Sequence, residues 1–182
     1  MSKRILFIVG SLRKNSFNRQ LAREAEGLLA GLCEAEFLDY SDVPLFSQDL
    51  EAAPPEAVTR VRTAVEEADG IWIFSPEYNH SIPGGLKNLL DWLSRETPGG
   101  KRLLAGKHIT HSGAGGATGT ACMQDQLMLL LNYLGMKVMN TAPRAAVSLS
   151  GEEFTAGHLL LSDMSRRFLK MQAEAFAAEL EK

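Results

Sequence analysis

Two hydrophobic periods alternate along the chain. Ile5-Leu6-Phe7-Ile8-Val9 is a continuous apolar run rich in β-branched residues, as a parallel strand buried on both faces requires. From Phe17 the period lengthens. Phe17, Leu21, Ala25, Leu28, Leu29 and Leu32 recur at helical spacing and predict a helix with one apolar face. A short strand is expected over residues 35–40. The loop Ser41-Asp42-Val43-Pro44-Leu45-Phe46 then runs to Pro54-Pro55, which opens a second helix with Val58, Val61, Val65 and Ala68 inward. Residues 70–75, GIWIFS, form a third buried strand, and Leu86, Leu89, Leu90 and Leu93 mark a third helix. A fourth strand is expected over residues 107–111, and a helix carrying Met123, Leu127, Leu130, Leu131 and Leu134 follows it. A fifth strand lies near residues 136–140 and can continue past Pro143. The last helix should bury Leu161, Met164, Phe168, Met171 and Ala175.

This βαβα alternation has no repeat, linker or low-complexity break, so the chain reads as one domain over residues 1–182. It predicts an α/β fold, a three-layer sandwich with a parallel sheet between helices. Five strands fit the flavodoxin-like order 2-1-3-4-5, in which a ligand binds outside the carboxyl ends of strands one and three. The loops at that edge begin at Gly10, at Pro76 and, after strand four, at Ser112.

These three loops carry the unusual chemistry. The first, GSLRKNSFN (residues 10–18), stands between a strand and a helix start. The free N–H groups and positive dipole of a helix N-terminus favour an anion there. Ser11, Ser16, Asn18 and Arg13 add hydroxyls, an amide and a guanidinium, a donor set suited to a phosphate monoester. Taken alone, the stretch reads equally as a helix capped by Asn15 or Ser16 with Arg13 solvated. The second loop, Pro76-Glu77-Tyr78-Asn79-His80-Ser81-Ile82-Pro83, offers a stiffened turn and an aromatic; a plain helix entry capped by Ser81 is its alternative reading. The third, Ser112-Gly113-Ala114-Gly115-Gly116-Ala117-Thr118-Gly119, lets backbone approach a flat ring. A phosphate at one end and a planar polar ring at the other describe a mononucleotide such as FMN. A dinucleotide would want G-x-G-x-x-G after strand one, which Gly10 does not begin, and a phospho-receiver would want acids at the ends of strands one and three.

Composition narrows the field further. The 182 residues are 45% hydrophobic and 23% charged with a net charge of −3, which argues against a general nucleic-acid or anionic-membrane binder. No apolar run approaches the ~20 residues of a membrane span, and the run behind Lys3-Arg4 is too short for a secretory signal. A cytoplasmic location is expected. Cys33 and Cys122 lie far apart without CxxC spacing, and His108 and His111 point to opposite faces of a strand, so no metal site is expected.

At these residues the chain resembles the NADPH-dependent FMN reductase family of quinone, azo-dye, chromate and ferric reductases. GSLRKNSFNRQLA (residues 10–22) is similar to that family's phosphate loop, and PEYNHSIPGGLKNLLDW (residues 76–92) to its flavin-ring loop and following helix. SGAGGATG (residues 112–119) is similar to its third flavin loop, with Thr120 where a second glycine is common. The resemblance covers nearly the whole chain and is weakest beyond Ser148. It implies bound FMN with NAD(P)H as electron donor. Ser11, Arg13, Ser16 and Asn18 would hold the phosphate, with the Phe17 backbone nearby. Pro76, Glu77, Tyr78 and Asn79 would lie along the isoalloxazine, and Ser112, Gly113 and Gly115 would border its pyrimidine end. It further implies ping-pong hydride transfer from NAD(P)H to FMN and on to a small acceptor such as a quinone, chromate, a ferric complex, an azo compound or free flavin. No side chain is expected to be an obligatory acid or base. Arg95 is a candidate for the NAD(P)H phosphates, against the alternative of a cation placed at a helix C-terminus. A homodimer or homotetramer is implied, and Trp92 beside the leucine stripe of the third helix agrees with that or with core packing. A flavin-bound redox-sensing or electron-transfer protein is the alternative function.

Overall fold

A computed structural model describes residues 2–182. Its strands are β1 (Lys3–Val9), β2 (Cys33–Phe37), β3 (Gly70–Phe74), β4 (His108–Gly115), β5 (Lys137–Val138) and β6 (Ala146–Ser148). They form a parallel sheet of order β2-β1-β3-β4-β5, and β6 pairs with the far end of β4. The expected flavodoxin-like order is therefore observed.

The helices are α1 (Phe17–Leu28), α2 (Glu56–Glu67), α3 (Gly84–Ser94), α4 (Ala121–Tyr133), α5 (Gly151–Ala156) and α6 (Asp163–Leu180). Because side chains alternate across a strand, β1 and β3 feed two separate cores. Ile5, Phe7, Val9, Trp72 and Phe74 pack beneath α1 and α6. Leu6, Ile8, Ile71 and Ile73 pack beneath α2, α3 and α4.

Several expectations shift. Strand two starts and ends earlier than residues 35–40, and α1 stops before Leu32, which is exposed. Strand four does not end at His111 but runs on through Ser112 and Gly113 to Gly115. The fifth strand is only two residues long; past Pro143 the chain returns to β4 as β6. On α6 the expected face is wrong: Met164, Phe168 and Met171 are exposed, and Leu169, Gln172, Ala173, Phe176 and Leu180 are buried. The reason is polar. Gln172 accepts from Ser112 Oγ (2.9 Å) and Ala145 N (2.8 Å) and donates to Thr110 Oγ1 (2.8 Å) and the His111 carbonyl (2.9 Å). This satisfied buried amide fixes the rotation of the helix against the sheet.

Trp92 on α3 is fully buried. Its indole N–H donates to the Pro44 carbonyl (2.8 Å) and its ring meets Phe46 edge-on. It anchors the loop after β2, so core packing is its role and α3 offers no argument for an oligomer.

Candidate functional site

β1 is followed by Gly10, whose N–H donates to the Phe74 carbonyl (2.8 Å). A Cβ at Gly10 would overlap the Ser75 side chain, so glycine lets the first two loops start side by side. Ser16 caps α1, its hydroxyl accepting from Arg19 N (3.1 Å). The N–H groups of Phe17 and Asn18 at the first turn have no carbonyl four residues back to bond. Arg13 is exposed and its guanidinium lies 5.4 Å from the centre of the Phe17 ring.

The second loop is a tight hairpin. Tyr78 and Ser81 exchange backbone bonds of 3.1 and 3.0 Å across Asn79 (φ 51°) and His80 (φ 57°), both left-handed, as a two-residue type I′ turn requires. Ser81 is thus a turn residue and not the cap of α3, which starts behind Pro83. The hairpin is tied to α4: Gln126 donates to the His80 carbonyl (2.7 Å) and accepts from Ser81 Oγ (2.8 Å). Glu77 Oε2 accepts from Met123 N (3.0 Å) in the first turn of α4. That carboxylate does the capping that Thr120, held at φ 71°, does not.

The three loops enclose a cavity of ≈ 420 Å³, within the roughly 300–1,000 Å³ of small-molecule sites. Ser11, Arg13, Ser16, Phe17 and Asn18 line it from the first loop; Pro76, Glu77 and Tyr78 from the second; Gly115 from β4. Tyr78 donates to Ser11 Oγ across it (3.4 Å) and stays half exposed. Ala114, Gly116, Leu149, Phe154 and Gly157 also line it and were not anticipated. Phe154 belongs to α5 and Gly157 caps its C-terminus; Phe154 meets Phe17 edge-on at 5.5 Å. The capping box from Ser150 to Glu153, with Gly157 behind it, is the sequence signal for that helix.

Four expected residues stand elsewhere. Asn79 is at the hairpin apex, outside the cavity lining. The Ser112 hydroxyl points into the core, accepting from the Trp72 indole (3.0 Å) and donating to Gln172. Gly113 is buried in β4, where a Cβ would strike the Thr120 hydroxyl and the Ser75 carbonyl; it admits Thr120 rather than a ring. Arg95 ends α3, eleven residues and roughly 16 Å from the helix start at the second loop. It pairs with Glu51 (2.9 Å) and lines a separate cleft of ≈ 540 Å³ with Glu51, Arg102 and Tyr133.

Asn18 lines the cavity, but its amide is already committed. Nδ2 donates to the Ala114 carbonyl and Oδ1 accepts from Ala114 N, both at 2.9 Å in a buried setting. β4 outruns β3, whose last partner is Ser112. Ala114 faces the same side as Ser112, so the Asn18 amide stands where the next β3 peptide would be. It holds the first loop to β4 rather than presenting a phosphate donor.

The donor set fits a flavin mononucleotide. Hydroxyls, a guanidinium and a helix N-terminus gather at the α1 end, and proline, tyrosine and glycine backbone at the other. A flavodoxin-type nucleotide site on a doubly wound sheet is the class that fold and cavity define. The profile of the family described as NADPH-dependent FMN reductase matches residues 3–148. The 2-hydroxy-1,4-benzoquinone reductase of a Burkholderia species is 36% identical over 98% of this chain and 96% of its own. A quinone reductase of Escherichia coli K12 is 38% identical over 75% of this chain and 73% of its own. The structure of FerB, a flavoenzyme NAD(P)H:(acceptor) oxidoreductase from Paracoccus denitrificans, superposes with a TM-score of 0.86 at 33% identity, covering 98% of this chain and 97% of FerB. The chain belongs to the NADPH-dependent FMN reductase family. It is an NAD(P)H-dependent flavin oxidoreductase with FMN as cofactor. Among the described residues no helix is long and apolar enough to cross a membrane.

Proposed function

We propose that the protein passes electrons from NAD(P)H to a quinone-class acceptor in two successive half-reactions at one open site. The observation that carries this is the meeting of three sequence-distant loops at one cavity, polar at its α1 end and open beside Tyr78. When bound there, FMN supplies the hydride chemistry, accepting from the nicotinamide and yielding to the acceptor that replaces it.

The chain's own residues bind and position. Ser11, Ser16 and Arg13 hold the phosphate together with the N–H groups of Phe17 and Asn18. Phe17 and Phe154 wall that end against water, and the exposed Arg13 closes over it. Pro76, Glu77 and Tyr78 line the ring end on one side, with Gly115 and Gly116 on the other. Loop backbone N–H groups there favour added negative charge. Glu77 keeps its hairpin in place through α4, so the ring wall is set before any ligand arrives. Chromate, ferric complexes, azo compounds and free flavin are further acceptors of the same open site.

The protein works in the cytoplasm as a homodimer or homotetramer. Leu129 (74% exposed) and Tyr133 (86%) on α4 give an apolar face for self-association, which sedimentation tests. The deciding experiment is to take the visible spectrum of the purified protein and add NADH or NADPH without air, then a benzoquinone. Bleaching of the flavin band and its recovery on adding quinone is the expected result. A colourless protein that takes up no FMN, or a flavin that NAD(P)H leaves oxidised, overturns the reading.

A further inference from the structure

The second loop and α4 bring together three metal-ligating groups, two from one hairpin and one from a helix far along the chain. Glu77, His80 and Cys122 each offer one donor atom, and all three donors lie within 4.8 Å of one another. His80 Nδ1 is 3.1 Å from Glu77 Oε1. The other carboxylate oxygen, Oε2, accepts from Met123 N at 3.0 Å, while Oε1 accepts only a long 3.5 Å bond from the exposed Thr118 hydroxyl, which a cation would displace. Cys122 is the second residue of α4, next in the chain to Met123, whose N–H anchors Glu77.

We propose that Glu77 Oε1, His80 Nδ1 and Cys122 Sγ form a three-ligand site for a zinc-class divalent cation, with solvent in the fourth position. The donor set decides the class. Thiolate and imidazole beside one carboxylate suit a borderline cation with tetrahedral preference and disfavour magnesium or calcium, which take oxygen shells. In a tetrahedron with bonds of roughly 2.0–2.3 Å the donors stand about 3.3–3.8 Å apart. Closing the site therefore asks for a movement on the order of 1 Å. His80 and Glu77 already stand 3.1 Å apart, so the adjustment falls on the Cys122 sulfur, which turns about a single side-chain bond, with the 76% exposed His80 following. On binding, the thiol gives its proton to solvent and the imidazole binds through neutral Nδ1.

The site is organised in advance. Gln126 already ties the hairpin to α4 at His80 and Ser81, and Glu77 ties it at Met123, so the two segments that carry the ligands are fixed to each other before metal binds. The left-handed turn at Asn79 and His80 brings the imidazole back over Glu77, three residues earlier. An ion here would clamp the hairpin that presents Tyr78 to the cavity rim. The proposal concerns metal uptake alone and stands or falls separately from the redox reading.

The test is zinc binding by the FMN-loaded protein, measured by competition with a chromophoric chelator and by zinc-edge X-ray absorption. One equivalent should bind, with magnesium not competing. The absorption spectrum should show one sulfur at about 2.3 Å among nitrogen and oxygen neighbours. Cys122→Ser should lose the sulfur shell, and Cys122→Ser and His80→Ala should each weaken binding at least tenfold. His158→Ala, at an exposed site, should leave it unchanged. Circular dichroism of each variant checks that it is folded. Failure of the wild type to compete, absence of sulfur around the bound zinc, or equal affinity in folded Cys122→Ser and His80→Ala overturns the proposal. The last two outcomes would mean an adventitious ion only.

Discussion

Asn18→Ala separates two roles that a single asparagine in a phosphate loop could play. Its amide makes two 2.9 Å bonds to the N–H and carbonyl of Ala114 and is almost fully buried. Alanine removes both bonds and leaves a buried donor and a buried acceptor on β4 with no strand alongside. Each lost bond is worth about 0.5–1.5 kcal/mol net, and an orphaned group adds to that, so the expected loss is on the order of 2–4 kcal/mol. Urea unfolding of the flavin-free protein, followed by far-ultraviolet circular dichroism, is the assay. The midpoint should fall with an unchanged slope, because the native surface hardly changes. FMN affinity should fall as well, since the first loop is no longer pinned to β4. A loss below about 1 kcal/mol in the flavin-free protein would refute the argument. If Asn18 were a phosphate donor and nothing more, the variant would unfold like wild type without FMN and differ only with it.

Four other perturbations probe separate parts of the structure. Arg13→Ala should weaken FMN binding by roughly 1.5–3 kcal/mol, the worth of charged hydrogen bonds; unchanged affinity in titration of the apoprotein would remove Arg13 from the site. Glu77→Ala leaves α4 without its borrowed cap and should cost about 0.5–2 kcal/mol by thermal melting with a chelator present, whereas a wild-type melt would mean that Met123 N finds another acceptor. Arg95→Ala should leave the Michaelis constants for NADH and NADPH unchanged, since its partners are Glu51 and Phe46; a rise in either would show that Arg95 reaches the dinucleotide. His111 is buried, chiefly for that reason holds its pKa down at about 3, and is further depressed by the nearby Arg144. The unfolded chain protonates this group below about pH 6.5 and the native one does not until about 3. The unfolded state thus binds more protons in that window, and stability falls as pH drops through it by about 1.4 kcal/mol per unit. His111→Leu should flatten the fall between about pH 6.5 and 5 by roughly 2 kcal/mol in urea titrations, and an equal slope in both proteins would contradict a neutral buried imidazole.

The parts of the fold legible in the sequence are those whose cause is local. β1 from Ile5 onward and β3 are buried on both faces, so their residues run without a polar interruption, and α2, α3 and α4 carry their stripes where the pattern puts them. The failures share a different cause. The pattern ends β4 at His111 because Ser112, Gly113 and Gly115 have no strand signal of their own. It continues because β6 and the Asn18 amide, distant in sequence, satisfy its backbone. α6 turns inward a different face from the one its apolar residues suggest, because a glutamine in its buried stripe looks like a surface residue until Ser112, Thr110 and Ala145 are placed around it.

The same reasoning governs the site. Which loops would meet was legible from residue type and topology together, since the three chemically unusual stretches fall at the strand ends where this sheet order leaves a crevice. Residue type could not tell which polar groups would remain unspent. Ser112 and Asn18 are as polar as Ser11 and Arg13, yet the first pair gives its hydrogen bonds to Trp72, Gln172 and Ala114, and the second pair keeps capacity for a ligand. Glu77 divides its two oxygens between helix capping and the face it shares with His80. Whether a polar side chain builds the wall of a cavity or reacts with what enters it is decided by partners that only the folded chain supplies. A ligand-contact prediction for this family should therefore be checked first against the hydrogen bonds the unliganded loops already make.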